Sequence, residues 1–214
     1  MSVKDYETRL YVKDNLSIGK SLVLKNDQSH YIRSVLRLKE NSQIALFNGE
    51  EGEWLSTIKI ISKKFVELEV IEQIKLQEVI SDIWLVFAPI KRTRIDYLAQ
   101  KATELGAGAL WPIFTKYTSV SRVNAERLRS NSIEAAEQSG RLTVPKILDP
   151  IDFDTLIEKW PHDRDLYCLD ETGRGAPILD AFRSSHQRAS GLLIGPEGGF
   201  AKEELDQVDK LGNV

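Results

Sequence analysis

Residues 83–88, Ile83-Trp84-Leu85-Val86-Phe87-Ala88, form an unbroken apolar run, the pattern of a strand buried on both faces of a sheet. A helical pattern follows, with Ile95, Leu98, Ala99, Ala102 and Leu105 at helical spacing and Gly106 placed to stop the helix. Residues 109–114 read as a second strand, and Asn124 caps a helix carrying Leu128, Ala135 and Ala136. Residues 152–160 read as helix, 165–169 as strand, 177–182 as a short helix and 192–194 as strand. Residues 201–211 then form a helix with Glu203 and Glu204 in its first turn. Strand and helix alternate throughout, which predicts an α/β parallel sheet covered on both faces.

Upstream the period changes to two. Leu10 and Val12, Leu22 and Leu24, Ile44 and Leu46, Ile58 and Ile60, then Val66, Leu68 and Val70 alternate with residues of the other face. Asn48-Gly49 and Glu51-Gly52 supply turn chemistry between two of these runs. One interruption is helical, with Ile32, Val35 and Leu36 as its apolar face and Asn26, Asp27 or Ser29 as N-cap. Short strands with one helix predict a small β-barrel. The polar stretch at residues 72–80 separates the two patterns, giving a first domain over residues 1–75 and a second over 76–214.

A chain of 214 residues, 42% hydrophobic and 29% charged, is long enough to fold on its core alone. Its single cysteine, Cys168, excludes an intrachain disulfide, and the N-terminus carries no apolar signal segment. No apolar run approaches the length of a membrane span, so a cytoplasmic protein with no membrane contact is expected. The net charge of −3 is unevenly spread: residues 1–39 hold eight Lys/Arg against four Asp/Glu, and residues 149–214 hold seven against fourteen. That distribution argues against indiscriminate coating of nucleic acid but permits a local basic surface that meets phosphates; solvated charged faces account for it equally.

In open α/β sheets ligands sit beyond the C-terminal ends of the strands. Four loops occupy that position here, at residues 89–92, 115–124, 170–177 and 195–200. The last reads Gly195-Pro196-Glu197-Gly198-Gly199-Phe200, where glycines allow positive φ and close backbone approach. Its spacing fits neither the P-loop nor the dinucleotide fingerprint, and on spacing alone a ligand loop and a structural turn stand level. His30, His162 and His186 are scattered and no metal is expected; no G-x-S-x-G elbow is present. Cys168 reads as a packed core thiol, and Asp170-Glu171 as a hydrogen-bonding or turn pair.

The run Leu192-Leu193-Ile194-Gly195-Pro196-Glu197-Gly198-Gly199-Phe200 resembles the signature loop of the RsmE family, the 16S ribosomal RNA uridine N3-methyltransferases. Three further blocks match in the family's order: His30 with Val35-Leu36-Arg37, Lys101-Ala102-Thr103-Glu104-Leu105-Gly106, and Glu134-Ala135-Ala136-Glu137-Gln138-Ser139-Gly140-Arg141 with Val144-Pro145. The resemblance implies a small PUA-like β-barrel followed by a SPOUT methyltransferase domain with a C-terminal trefoil knot. It also implies S-adenosylmethionine as cofactor, a homodimer, and a uridine of 16S rRNA in the small ribosomal subunit as substrate. Three departures stand out. Ile90-Lys91-Arg92-Thr93 replaces the family's Pro-Lys-Gly-Asp, and Lys116-Tyr117-Thr118 its Glu-Arg-Ser. The sequence ends at Val214, where the family continues with Leu-Gly-x-Arg-Ile-Leu-Arg-x-Glu-Thr-Ala, so a truncated knot segment is expected.

Carried onto this chain, the resemblance assigns cofactor binding to Leu169, Glu171, Thr172, Ile194, Gly195, Pro196, Glu197 and Gly198. It assigns the uridine or its phosphates to Lys91, Arg94, Lys101, Gln138 and Arg141, and barrel contacts with RNA to Arg33 and Arg37, taken to lie one helical turn apart on one face, a pair that an ordinary solvated helix face explains as well. Lys91, Arg94 and Arg141 are the candidates for a catalytic role; no histidine lies in the matched loops, and the general base stays unassigned. Glu197 either meets a ribose hydroxyl or caps the helix that follows. Arg141 has a plainer reading as an exposed charge past a Gly140 C-cap. The alternative function is a non-catalytic RNA-binding or ribosome-assembly factor on the same scaffold. A third reading is an unrelated nucleotide-binding enzyme using the Gly195 loop for phosphate.

Overall fold

The computed structural model describes residues 6–79, 81–173, 175–184 and 189–211. By inter-residue contacts the chain divides into two units: the residues up to Val79 together with Ala136–Thr143, and the remainder.

In the first unit the period-two runs become β1 (Arg9–Tyr11), β2 (Ser21–Lys25), β3 (Gln43–Phe47), β4 (Glu53–Ile61) and β5 (Phe65–Lys75). They form one sheet in the order β1-β3-β4-β5-β2, antiparallel except where β1 pairs with β3. Alternation delivers Leu22, Leu24, Ile44, Leu46, Val66 and Leu68 to a single core, as the sequence pattern requires. Register shifts in the long β4–β5 pair, at Leu55/Ser56 and Ile58/Ile60, add the local twist that a small curled sheet needs.

The helix of this unit departs from expectation. Helix α1 (Asn26–His30) starts at Lys25 with no side-chain cap, and the Ser29 hydroxyl is bonded back to the Asn26 carbonyl at 2.9 Å. It continues as a π-helical segment, Tyr31–Val35, in which the Leu36 amide reaches five residues back to Tyr31 at 2.9 Å. The wider turn breaks the α period that placed Ile32 and Val35 together: Ile32 is buried and Val35 exposed. Arg37 leaves the helix in the left-handed region at φ 55°, so it does not share a helical face with Arg33.

The second unit alternates as read. Strand β6 (Ile83–Phe87) leads to α2 (Arg92–Leu105), closed by Gly106 at φ 88°, then β7 (Ala109–Phe114) and α3 (Ala125–Ser139). Asn124 Oδ1 accepts the Arg127 amide at 3.0 Å, the expected cap. Two-residue strands β8 (Lys146–Ile147) and β9 (Ile151–Asp152) precede α4 (Phe153–Lys159), which Asp152 caps by accepting the Thr155 amide. Then come β10 (Asp165–Leu169), α5 (Ile178–Ser184), β11 (Ser190–Ile194) and α6 (Lys202–Val208).

All sheet pairings are parallel, in the order β10-β11-β6-β7-β8, with β9 on β7. Neighbouring residues face opposite cores: Val86 and Trp111 pack with Leu156 and Leu193, Phe87 and Leu110 with Ala99 and Leu128. The sheet is therefore covered on both faces. Ile83, at the start of β6, is 40% exposed, so two-sided burial holds only toward the strand's C-terminal end. Trp160 lies against Gly191, where a Cβ would enter the indole ring. Among the described residues no helix is long and apolar enough to cross a membrane.

Candidate functional site

The sheet order turns back at β6, with β7 on one side and β11 and β10 on the other, which marks the C-terminal strand ends as the ligand crevice. There Leu169 and Ile194 occupy the last register position of the β10–β11 pair, yet are 38% and 36% exposed. Two aliphatic side chains left open side by side at the mouth of a buried sheet are suited to a flat apolar ligand group. The loop after β11 begins directly beyond Ile194. A Cβ at Gly195 would come within 2.9 Å of the Phe200 ring, and one at Gly198 would touch Tyr117 at 3.4 Å. Gly199 takes φ 71°, and a side chain there would collide with the Glu171 carboxylate. The loop is thus held between Glu171, from beyond β10, and Tyr117, from beyond β7, with no room for a side chain at Gly195 or Gly199.

The adjoining loop is pinned locally. Asp170 accepts the Thr172 amide at 2.9 Å and also the Thr172 hydroxyl, so this acidic pair builds a turn, as expected. A residue the sequence reading placed only in the first turn of a helix fixes the loop after β7: Glu204, 8% exposed, accepts the Ala201 amide and the Lys116 amide, each at 2.8 Å. One carboxylate thereby starts α6 and ties down the backbone next to Tyr117. The signal was present as a glutamate three residues after the helix N-cap. Because Glu204 takes that role, Glu197 does not cap α6. Its carboxylate is exposed, 3.8 Å from the Arg94 guanidinium. Lys116 also approaches Glu203 at 3.4 Å; bonding from the Glu203 amide and from Lys116 holds the Glu203 carboxyl below the usual range.

Lys91 and Arg94 are exposed at the start of α2, beside an open cleft of about 1010 Å³ lined by Ile90, Lys91, Ile95 and residues 119–128. On the cleft wall, Asp96 takes a two-pronged ion pair from Arg127 and a 2.7 Å bond from Asn131. Lys101 is ten residues further along α2, about 15 Å by helical rise. Its ammonium bonds Glu104 at 2.7 Å and lies over Tyr97, which raises the lysine pKa and lowers that of the glutamate. Among the described residues no group of three or more His, Cys, Asp or Glu is placed to hold a metal.

Residues 77–214 match the model of an RNA methyltransferase domain, and residues 24–71 that of an RNA methyltransferase PUA domain. The chain is 34% identical to ribosomal RNA small subunit methyltransferase E of Rickettsia conorii, over 96% of this chain and 84% of that one. It belongs to the small subunit methyltransferase E family. The Bacillus subtilis member is 28% identical, covering 94% of this chain and 84% of its own length. The crystal structure of the Neisseria gonorrhoeae enzyme bound to S-adenosyl methionine superposes with a TM-score of 0.85 at 27% identity, covering 97% and 87% of the two chains. The chain is accordingly an RNA methyltransferase, with a PUA-like domain ahead of its parallel sheet.

The remaining residues that the family resemblance singled out lie in the first unit. Gln138 is exposed at the end of α3, and Gly140 ends the helix at φ 80°. Arg141 is half-buried rather than exposed, and its carbonyl accepts from Arg9. Arg9 is buried; its guanidinium donates to Ala136 O at 2.7 Å, Glu137 O at 3.0 Å and Arg141 O at 2.9 Å, and pairs with Glu53. It caps the helix end that carries this family motif, a role with no local sequence signal. Arg33 turns inward to the carbonyls of Ser62, at 3.3 Å, and Lys63, while Arg37 is exposed.

Proposed function

We propose that this chain methylates N3 of a uridine in 16S rRNA of the small ribosomal subunit, with S-adenosylmethionine as methyl donor. It works in the cytoplasm as a homodimer, with residues 1–75 contacting RNA and residues 76–214 carrying the transfer. The observation that carries the reading is the open Leu169–Ile194 pair followed by a loop with no room for side chains at Gly195 and Gly199, in a member of this methyltransferase family. Those residues fit the cofactor: an apolar seat for the adenine, and backbone at Gly195, Pro196 and Gly198 for the polar edges. Glu171 and Thr172 close one side, and the exposed Glu197 suits a ribose hydroxyl.

When bound, S-adenosylmethionine supplies an electrophilic methyl group. The protein's own task is to hold N3 in line with it, an arrangement that lowers barriers by about 7–11 kcal/mol. N3 must first lose its imide proton. Lys91 and Arg94 stabilise the negative charge that spreads onto the uracil oxygens, which favours proton loss to solvent. Gln138 and Arg141 meet the substrate strand, as do Arg37 and the barrel. Lys101, already paired with Glu104, contributes charge rather than a direct contact.

The test is methyl transfer from labelled S-adenosylmethionine to small subunits lacking the modification, with the RNA digested to nucleosides. Label is expected in N3-methyluridine. Label in another nucleoside would overturn the substrate and keep the chemistry. Cofactor binding without transfer to any nucleoside would turn the reading toward a non-catalytic RNA-binding factor.

A further inference from the structure

In the first unit, Lys25, His30, Arg33, Lys63, Lys64 and Phe65 line an open groove of about 570 Å³ with Asn26 and Ser29. Among the described residues no acidic side chain lines it; the nearest in sequence, Asp27 and Glu67, are not among the lining residues. Among the described residues, Lys25, Lys63 and Lys64 have no carboxylate partner, and all three are exposed.

The hairpin that presents two of these lysines is built against its own propensity. Ser62 N donates to Phe65 O at 2.9 Å, leaving Lys63-Lys64 as a two-residue loop between β4 and β5. Such loops favour Asn-Gly or Gly-containing pairs, because their backbone calls for positive φ. Neither lysine has positive φ, and the turn is instead held by added bonds. Ser62 Oγ accepts the amides of Lys64 at 3.2 Å and Phe65 at 3.0 Å. The Arg33 guanidinium grips the carbonyls of Ser62 and Lys63 from the π-helical segment. The positive charge of Arg33 is therefore fixed at the groove without a carboxylate to neutralise it.

The geometry points to this groove as a phosphate-binding track for the RNA backbone, with Lys25, Lys63 and Lys64 contacting phosphates and Arg33 positioning the hairpin. It rests on the RNA methyltransferase reading and deepens it by naming which face of the PUA-like unit meets the strand. Lysines are point charges on flexible stems, so the track anchors RNA without reading its sequence.

The experiment titrates small ribosomal subunits with the full chain at several salt concentrations. Three proteins are compared: the unaltered chain, the Lys63→Ala/Lys64→Ala double variant and the Lys63→Arg/Lys64→Arg double variant. Each lost phosphate contact removes roughly 0.7–0.9 from the slope of log affinity against log salt. The alanine variant is expected to lose about 1.4–1.8 of slope, the arginine variant to restore it, and both to keep thermal melting and cofactor affinity. An unchanged slope in the alanine variant, while the unaltered chain binds and methylates subunits, overturns the track alone. If the unaltered chain neither binds nor methylates subunits, the underlying reading fails with it. Loss of binding to phosphatidylglycerol vesicles without loss on RNA would also overturn the assignment, in favour of a membrane surface.

Discussion

Glu204 shows how much one buried carboxylate organises. It accepts two backbone amides from different loops at 2.8 Å, one on each carboxylate oxygen. Glu204→Gln keeps the shape but presents an amide NH₂ toward one of those donors. A buried donor left unmet costs about 1–3 kcal/mol, so urea unfolding should show a loss of that size. The freed strand would be the Lys116-Tyr117 backbone packed on Gly198, so calorimetric titration should also show weaker S-adenosylmethionine binding. Unchanged stability and affinity together would mean that the two loops are held by packing alone. Glycines 195 and 199 are the counterpart: their need for close approach was readable from the run itself, whereas the Glu171 that crowds Gly199 comes from a loop distant in sequence.

At the scale of elements, the strongest polar tie between α2 and α3 is Asp96 with Arg127 and Asn131. Bonding to Arg127 holds the Asp96 carboxyl below its ordinary value. The thermodynamic sign follows: a carboxylate with a depressed folded pKa stabilises the fold above its unfolded pKa, and that contribution is lost as pH falls through the folded one. Asp152, capping α4, and Glu203 shift in the same direction. Stability should therefore fall on acidification from the ordinary carboxylate range downward. Asp96→Asn should flatten that acid limb by lowering stability near pH 7 by the same amount, a modest one, since both groups are solvent-accessible and the pair is screened. Denaturant midpoints measured from pH 6 to pH 2 check this; parallel curves for the two proteins would remove Asp96 from the acid response. The elements themselves were largely legible. The α2 stop at Gly106, the Asn124 cap and the limits of β7 and β10 follow from patterns several residues long. Strands β8 and β9 were not legible, because two residues carry no period. Nor was the π-helical segment, where i, i+3, i+4 spacing suggests an α-helix while the backbone bonds run five residues back.

For the whole molecule, the consequential feature is that Ala136–Thr143 groups with the residues up to Val79, more than fifty positions earlier. Periodicity sorts a chain into local runs, so it separates a β half from an α/β half and carries no signal for such a grouping. Arg9 makes the connection, with three carbonyls of this segment and buried Glu53 at the ends of one guanidinium, and the ring of Phe47 4.5 Å from its carbon. Lys75 adds a second cation to Glu53 at 2.9 Å. Arg9→Ala would leave Glu53, which has no exposure, with Lys75 as its remaining cation and would strip donors from the C-terminal end of α3. Breaking a buried pair in this way costs about 3–5 kcal/mol. Arg9→Lys should recover only part, because one ammonium cannot serve a carboxylate and three carbonyls that a planar fork reaches together. Hydrogen exchange distinguishes the role from a general loss of stability. Amides at residues 136–143 should lose protection together with those of β1 and β3, while β6, β10 and β11 keep theirs. Equal deprotection of both sheets would mean that Arg9 supports the fold as a whole. Protection retained at residues 136–143 would show that the segment carrying Gln138 and Arg141 holds its place without Arg9.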